Sequence, residues 1–142
     1  MKNKIVIFTD GGARGNPGPA GIGIVITGLS AGKQAFGEFI GKTTNNEAEY
    51  RALITALQKV VELSSGDDLE KIDCYADSEL MVKQLKGEYK VKDSNLRNLF
   101  MEVLKLKSAL KVPVSFHHVK RAKNAEADAI YNEVLDAVVG AK

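Results

Sequence analysis

Ile5-Val6-Ile7-Phe8-Thr9-Asp10, followed by Gly11-Gly12-Ala13-Arg14-Gly15-Asn16-Pro17-Gly18-Pro19, is the stretch around which the chain is organised. The apolar run predicts a buried strand that ends on Asp10. The glycines and prolines after it predict a break in regular structure as far as Pro19. A carboxylate at the mouth of a buried strand is costly unless it is paired or bound to a cation. Glycines beside it let a bulky ligand approach the backbone. Asp10 is therefore read as the first ligand of a metal site whose other members lie downstream.

Working outward, Gly21 to Thr27 and Gln34 to Ile40 read as two further strands, joined by the short turn Gly28 to Gly32. Short turns favour antiparallel neighbours. A helix begins near Thr44 or Asn45, both good capping residues. Its apolar stripe runs through Leu53, Ala56, Leu57 and Val60, and Ser64-Ser65-Gly66 stops it. A fourth strand, Lys71 to Ala76, leads to Asp77 and is expected to lie parallel to the first. A short helix from Ser78 to Lys86, a longer one from Ser94 to Leu110, a strand from Val114 to Val119 and a last helix from Asn124 to Val139 complete the chain. This order predicts an α/β fold: a mixed five-stranded sheet flanked by helices, with residues 1–142 forming one domain.

The composition is that of an ordinary soluble globular protein. No apolar run is long enough to span a bilayer, so no membrane role is expected. The start of the chain shows no signal-peptide pattern. Cys74 is the only cysteine, which excludes an internal disulfide and makes the cytoplasm the expected compartment. Charge is unevenly spread. Lys83 to Lys123 holds eleven Lys and Arg against three Asp and Glu, whereas the residues before it hold eight against eleven. A basic half beside an acidic half suits a polyanion-binding face next to a cation pocket, and it equally suits a solvated helix surface.

The acids are sorted by periodicity. Asp10 and Asp77 follow two strands expected to be parallel neighbours, so both fall at one carboxyl edge, where α/β sheets bind ligands. Glu49 shares a helical stripe with Leu53, Ala56 and Val60, whereas Glu47 shares a face with the polar Arg51 and Gln58. Asp128 lies on a stripe with Tyr131, Leu135 and Val138, while Glu126 lines up with Glu133. Any one of these acids could be a cap or a solvated strand end. Four converging acids, Asp10, Glu49, Asp77 and Asp128, instead point to hard cations, Mg²⁺ or Mn²⁺. Two such ions about 4 Å apart can activate a water and stabilise the leaving oxygen of a phosphodiester. His117 and His118 are strand neighbours facing opposite sides, so they do not form a paired zinc site. Cys74 alternates with Ile72 and Ala76 and reads as core. The glycine-rich turn lacks the lysine of a phosphate-binding loop and is followed by a strand, not a helix.

Four motifs then carry a resemblance. TDGGARGNPGPAGIG (Thr9 to Gly23), TTNNEAEYRAL (Thr43 to Leu53), YADSELMVKQL (Tyr75 to Leu85) and KNAEADAIYNEVLD (Lys123 to Asp136) together resemble type 1 ribonuclease H, in its compact archaeal and bacterial branch. The resemblance covers nearly the whole chain. It implies a ribonuclease H-like sheet of order 3-2-1-4-5 with strand two antiparallel. It also implies endonucleolytic cleavage of the RNA strand of RNA–DNA hybrids with two Mg²⁺ or Mn²⁺ ions. The family's catalytic and metal-binding carboxylates fall on Asp10, Glu49, Asp77 and Asp128. Gly11, Gly12, Gly15, Asn16 and Asn45 would meet the RNA strand's 2′-hydroxyls, the group that separates RNA from DNA. Lys42 and Thr44 resemble a DNA-phosphate pocket, and Asn46 and Ser78 are further substrate candidates for which a cap is the alternative.

The chain departs from the family in two places. Many members carry a histidine in a flexible loop before the last aspartate. Lys120 to Asn124 holds none, and Arg121 is the candidate to take over near the leaving phosphate. The basic, tryptophan-containing protrusion is also missing, which leaves hybrid binding to Lys83, Lys86, Lys90 and Lys92, in a weak and salt-sensitive mode. A monomer is expected, with double-stranded RNA an open second substrate. Two rival readings are a catalytically silent nucleic-acid-binding module of the same fold and a related superfamily DNA nuclease. The intact acids argue against the first, and the Asn-rich turn with its TTNN segment argues against the second.

Overall fold

The computed structural model describes residues 2–140. The strands are β1 (Asn3–Ala13), β2 (Gly18–Thr27), β3 (Gln34–Thr43), β4 (Leu69–Ala76) and β5 (Val114–His118). They form one sheet of order β3-β2-β1-β4-β5. β1 pairs antiparallel with β2 and parallel with β4, and β5 runs parallel to β4. The helices are α1 (Asn45–Leu63), α2 (Glu79–Leu85), α3 (Ser94–Leu110) and α4 (Ala125–Val139), the last preceded by a 3-10 turn at Arg121–Asn124. Among the described residues no helix is long and apolar enough to cross a membrane.

The glycine-rich stretch departs from the sequence expectation. β1 does not end at Asp10, and the β1–β2 ladder continues through Gly11–Ile22 and Gly12–Gly21 to Ala13–Ala20. Only Arg14 to Pro17 forms the turn, closed where the Arg14 N–H donates to the Pro19 carbonyl at 2.8 Å. β3 likewise runs on past Ile40, because Gly41, Lys42 and Thr43 pair with Ala20, Pro19 and Gly18. Cross-strand hydrogen bonds need only backbone, so glycine weakens these strands without ending them.

β4 decides where the site forms. Its pairing with β1 stops at Thr9–Ala76, one residue before Asp10. Beyond that point β1 keeps a partner on one side only, and Asp10 and Asp77 flank the opening left by the missing strand.

One sheet face is apolar at alternate positions, Ile5, Ile7, Ile22, Ile24, Ile26 and Ile72, all at most 1% exposed. It packs on the α1 stripe of Leu53, Ala56, Leu57 and Val60, each 1% exposed or less. α1 is capped by Thr44, whose Oγ1 accepts the Glu47 N–H at 3.2 Å and donates to the Glu47 carboxylate at 3.3 Å. Glu47 is thus occupied at the cap while Glu49, two residues on, faces the sheet end. Tyr50 donates its hydroxyl to Gln84 Oε1 at 2.7 Å and ties α1 to α2 inside the core. Cys74 is buried in this core, where desolvation pushes its thiol pKa up and leaves it inert.

The opposite face carries α4 over β1, β2 and β3. Backbone meets backbone there: a Cβ on Gly23 would stand 2.2 Å from the Ala127 carbonyl oxygen. Only Ala127 and Leu135 of α4 are fully buried. Val138, expected on the inner stripe, is 50% exposed because α4 runs past the covered part of the sheet there.

Candidate active site

Three acids meet at the open end of the β1–β4 pairing. One carboxylate oxygen from each of Asp10, Glu49 and Asp77 lies within 4.8 Å of the others. Asp10 arrives on β1, Asp77 follows β4, and Glu49 is brought in by α1. That helix reaches β1 because Gly11 has no side chain: a Cβ there would lie 2.5 Å from the Ala48 carbonyl oxygen. Asp128 approaches from α4 on the other side and stands outside the triangle. Its carboxylate is near enough for its charge to raise the Asp10 pKa.

The electrostatics are those of an uncompensated acid cluster. Asp10 is 3% exposed, and its Oδ1 accepts the Gly11 N–H at 2.9 Å. Asp10 Oδ2 and Glu49 Oε1 are buried with no hydrogen-bond partner. Burial first, and then the charges of Asp77 and Asp128, push the Asp10 pKa up to about 8. Glu49 moves in the same direction, through burial and then through Asp10 and Asp77. Buried polar atoms are ordinarily satisfied. Two orphaned carboxylate oxygens in one triangle fit a divalent cation, the partner that would lower both pKa values and complete both coordination needs.

The cleft above the triangle has a volume of about 440 Å³, and its walls include Asn45, His118, Arg121 and Tyr131 as well as Gly11 and Gly12. Arg121 is 77% exposed, with Nε 4.0 Å from Asp77 Oδ2. It is the cation that faces the acids from the 3-10 turn. His118, at the end of β5, reaches the cleft wall although it precedes the loop in which a histidine is expected. His117 turns to the other face, 2.9 Å from Asp73, and stacks on Tyr75.

The remaining predicted contacts divide by surroundings. Asn16 Oδ1 accepts the Asn45 N–H at 3.0 Å, and Asn45 Oδ1 accepts the Ala13 N–H at 2.8 Å. Both carbonyls therefore stitch the β1–β2 turn to the start of α1. Thr44 and Ser78 are helix caps, Ser78 accepting the Met81 N–H at 3.3 Å. Gly15 occupies the turn with φ of +100°. Lys42 and Asn46 are exposed outside the cleft walls. The sequence reading missed His118 as part of the cleft wall. It placed Tyr131 on the inner stripe without giving it a role, although its position three residues after Asp128 was the available signal.

A family model described as "Reverse transcriptase-like" matches residues 8–134. Ribonuclease HI of Halobacterium salinarum is 40% identical over 134 residues, covering 94% of this chain and 65% of that protein. The crystal structure of LC11-RNase H1 in complex with an RNA/DNA hybrid superposes with a TM-score of 0.88 and 43% identity, covering 95% of this chain and 99% of that one. The chain belongs to the type 1 ribonuclease H family. A bifunctional protein of Mycobacterium tuberculosis is also 41% identical over 140 residues, but this chain spans only 36% of its length. The chain thus spans about a third of the length of that relative and 65% of the Halobacterium ribonuclease HI.

Proposed function

We propose that this chain is an endonuclease that hydrolyses the RNA strand of RNA–DNA hybrids with two divalent ions, Mg²⁺ or Mn²⁺, leaving 5′-phosphate and 3′-hydroxyl ends. The observation that carries the reading is the triangle of Asp10, Glu49 and Asp77 with its two orphaned, buried oxygens. It lies in a chain 43% identical to a ribonuclease H1 that holds an RNA/DNA hybrid.

Divalent ions bound in this cleft supply an activated water and neutralise charge on the scissile phosphate. Asp10, Glu49 and Asp77 would hold one ion, and Asp10 and Asp128 would hold the second. Arg121 places a guanidinium beside Asp77, on the side where a phosphate's charge needs an opposing cation. Gly11 and Gly12 in the cleft wall and the exposed Gly15 in the turn would meet the RNA strand. The Asn16 and Asn45 amide NH₂ groups, whose carbonyls already bind backbone, are the donors left for sugar hydroxyls. Lys42 and the exposed Lys86, Lys90 and Lys92 supply the charge for the DNA strand.

The deciding experiment offers labelled RNA–DNA hybrid, double-stranded RNA and double-stranded DNA in one Mg²⁺ assay with an EDTA control. Cleavage of the RNA strand of the hybrid at internal positions, lost with EDTA and in Asp10→Asn, is expected. Hybrid binding without turnover, or preferential cutting of double-stranded DNA, overturns the reading.

A further inference from the structure

Arg14 sits in the β1–β2 turn with its side chain only 21% exposed, and its guanidinium grips the far end of α4. One terminal nitrogen reaches Asp136 Oδ1 at 2.5 Å, the Asn132 carbonyl at 3.3 Å and Asn132 Oδ1 at 3.4 Å, and the other donates to the Gly140 carbonyl at 3.1 Å. Asn132 then donates its own amide to the Asp128 carbonyl at 3.0 Å. A continuous path of hydrogen bonds therefore runs from the turn, through Asn132, to the backbone of Asp128. α4 has no basic residue in its last turn, so Arg14 supplies the positive charge that a helix C-terminus favours. Ala127 and Leu135 are the fully buried side chains of α4, and neither lies in its last turn.

We infer that Arg14 is a positioning residue: through Asn132 it sets the register of α4 against β1 and holds Asp128 beside Asp10. This rests on the reading of Asp10 and Asp128 as sharing an ion. The planar fork matters, because one terminal nitrogen engages Asp136 and Asn132 together while the other holds the Gly140 carbonyl. A lysine could keep the ion pair with Asp136, but its shorter stem ends in a single nitrogen that cannot hold Asn132 and the Gly140 carbonyl in the same arrangement.

The test titrates Mn²⁺ into protein free of nucleic acid, by calorimetry, for wild type, Arg14→Lys, Arg14→Ala, Asn132→Ala and the Arg14→Ala/Asn132→Ala pair. Melting temperatures and hybrid-cleavage kinetics are measured alongside. Arg14→Lys is expected to recover most of the melting temperature lost in Arg14→Ala, yet to bind Mn²⁺ about tenfold more weakly than wild type, the scale seen when support behind a metal ligand is removed. kcat falls by a similar factor while KM for hybrid stays within about twofold. The double variant binds Mn²⁺ no more weakly than Arg14→Ala alone, because both residues act on one path. Wild-type Mn²⁺ affinity in Arg14→Lys, or additive losses in the double variant, overturns the inference. Should Arg14→Ala not fold, Arg14→Lys and Asn132→Ala still decide it. A wild type that binds Mn²⁺ but cuts no hybrid defeats the proposed function, while the Mn²⁺ titrations still judge Arg14.

Discussion

The side-chain amide of Asn124 donates to the backbone carbonyl of Thr9 over 2.8 Å, across 115 positions of sequence, with Asn124 only 1% exposed. Thr9–Ala76 is the last pair of the β1–β4 ladder, so Asn124 covers the carbonyl at the end of that ladder and ties the 3-10 turn carrying Arg121 to the residue before Asp10. Asn124→Ala leaves that carbonyl buried and unpaired, a loss of about 1–3 kcal/mol. Chemical denaturation should show a lower midpoint with an unchanged slope. Asn124→Leu, similar in size but with no donor, should be no better.

The metal-free protein should lose stability as pH rises from about 4 to about 8. Asp10 has a folded pKa of about 8, above its ordinary value of 3.8, so between these values the folded state holds a proton that the unfolded state has released. The Asp10 contribution is therefore present below pH 3.8 and is lost as pH climbs through the folded pKa. Asp10→Asn removes it. Melting curves in EDTA across this range should fall more steeply for wild type than for Asp10→Asn, and Mg²⁺ at pH 8 should raise wild type more than the variant. Parallel curves for the two proteins would show that Asp10 is not strained by its neighbours.

Gly11→Ala should be among the most damaging single-methyl changes in the chain. The new Cβ meets the Ala48 carbonyl at 2.5 Å, which is backbone and can yield only if α1 moves off β1. Overpacking of this kind costs about 1–3 kcal/mol or more, and the shift would displace Glu49 as well. Gly12→Ala differs, because its Cβ meets the Tyr131 ring at 2.9 Å, a side chain. Adding Tyr131→Ala should restore the stability of Gly12→Ala but do nothing for Gly11→Ala, as read by thermal melts of the four variants.

Hybrid affinity should depend on salt through the lysines in and after α2. Lys90 and Lys92 are exposed. Lys83 is partly engaged already, 3.9 Å from Glu79 and 5.0 Å above the Tyr89 ring. Lys90→Ala and Lys92→Ala should each reduce the slope of log affinity against log salt by about 1, and Lys83→Ala should reduce it less. Fluorescence anisotropy of labelled hybrid with Asp10→Asn protein, in Ca²⁺, measures binding without cleavage. A slope unchanged in all three variants would place the DNA strand elsewhere.

Much of the architecture was legible because it rests on short-range periodicity. The apolar run of Ile5 to Thr9 and the alternation in Lys71 to Ala76 show as strands. The α1 stripe separates Glu49 from Glu47 by turning them to different faces. Errors fell where hydrogen-bond partners are distant in sequence. Nothing local in Gly11-Gly12-Ala13 announces a continuing strand, since its partners, Ile22, Gly21 and Ala20, lie on β2. Nor does helical spacing reveal that Val138 overhangs the sheet.

The order of strands and helices and the inward turn of the site acids were determined by the sequence alone, because each follows from side-chain period and chain punctuation within a dozen residues. The tertiary structure decided how closely those elements meet. It packs α1 onto Gly11 and α4 onto Gly23, spends the carbonyls of Asn16 and Asn45 on backbone, and places Arg14 against the end of α4. These are contacts between surfaces far apart in the chain. Their distances depend on where Cβ atoms are missing and which polar groups must be satisfied after packing, and neither is encoded in any one segment.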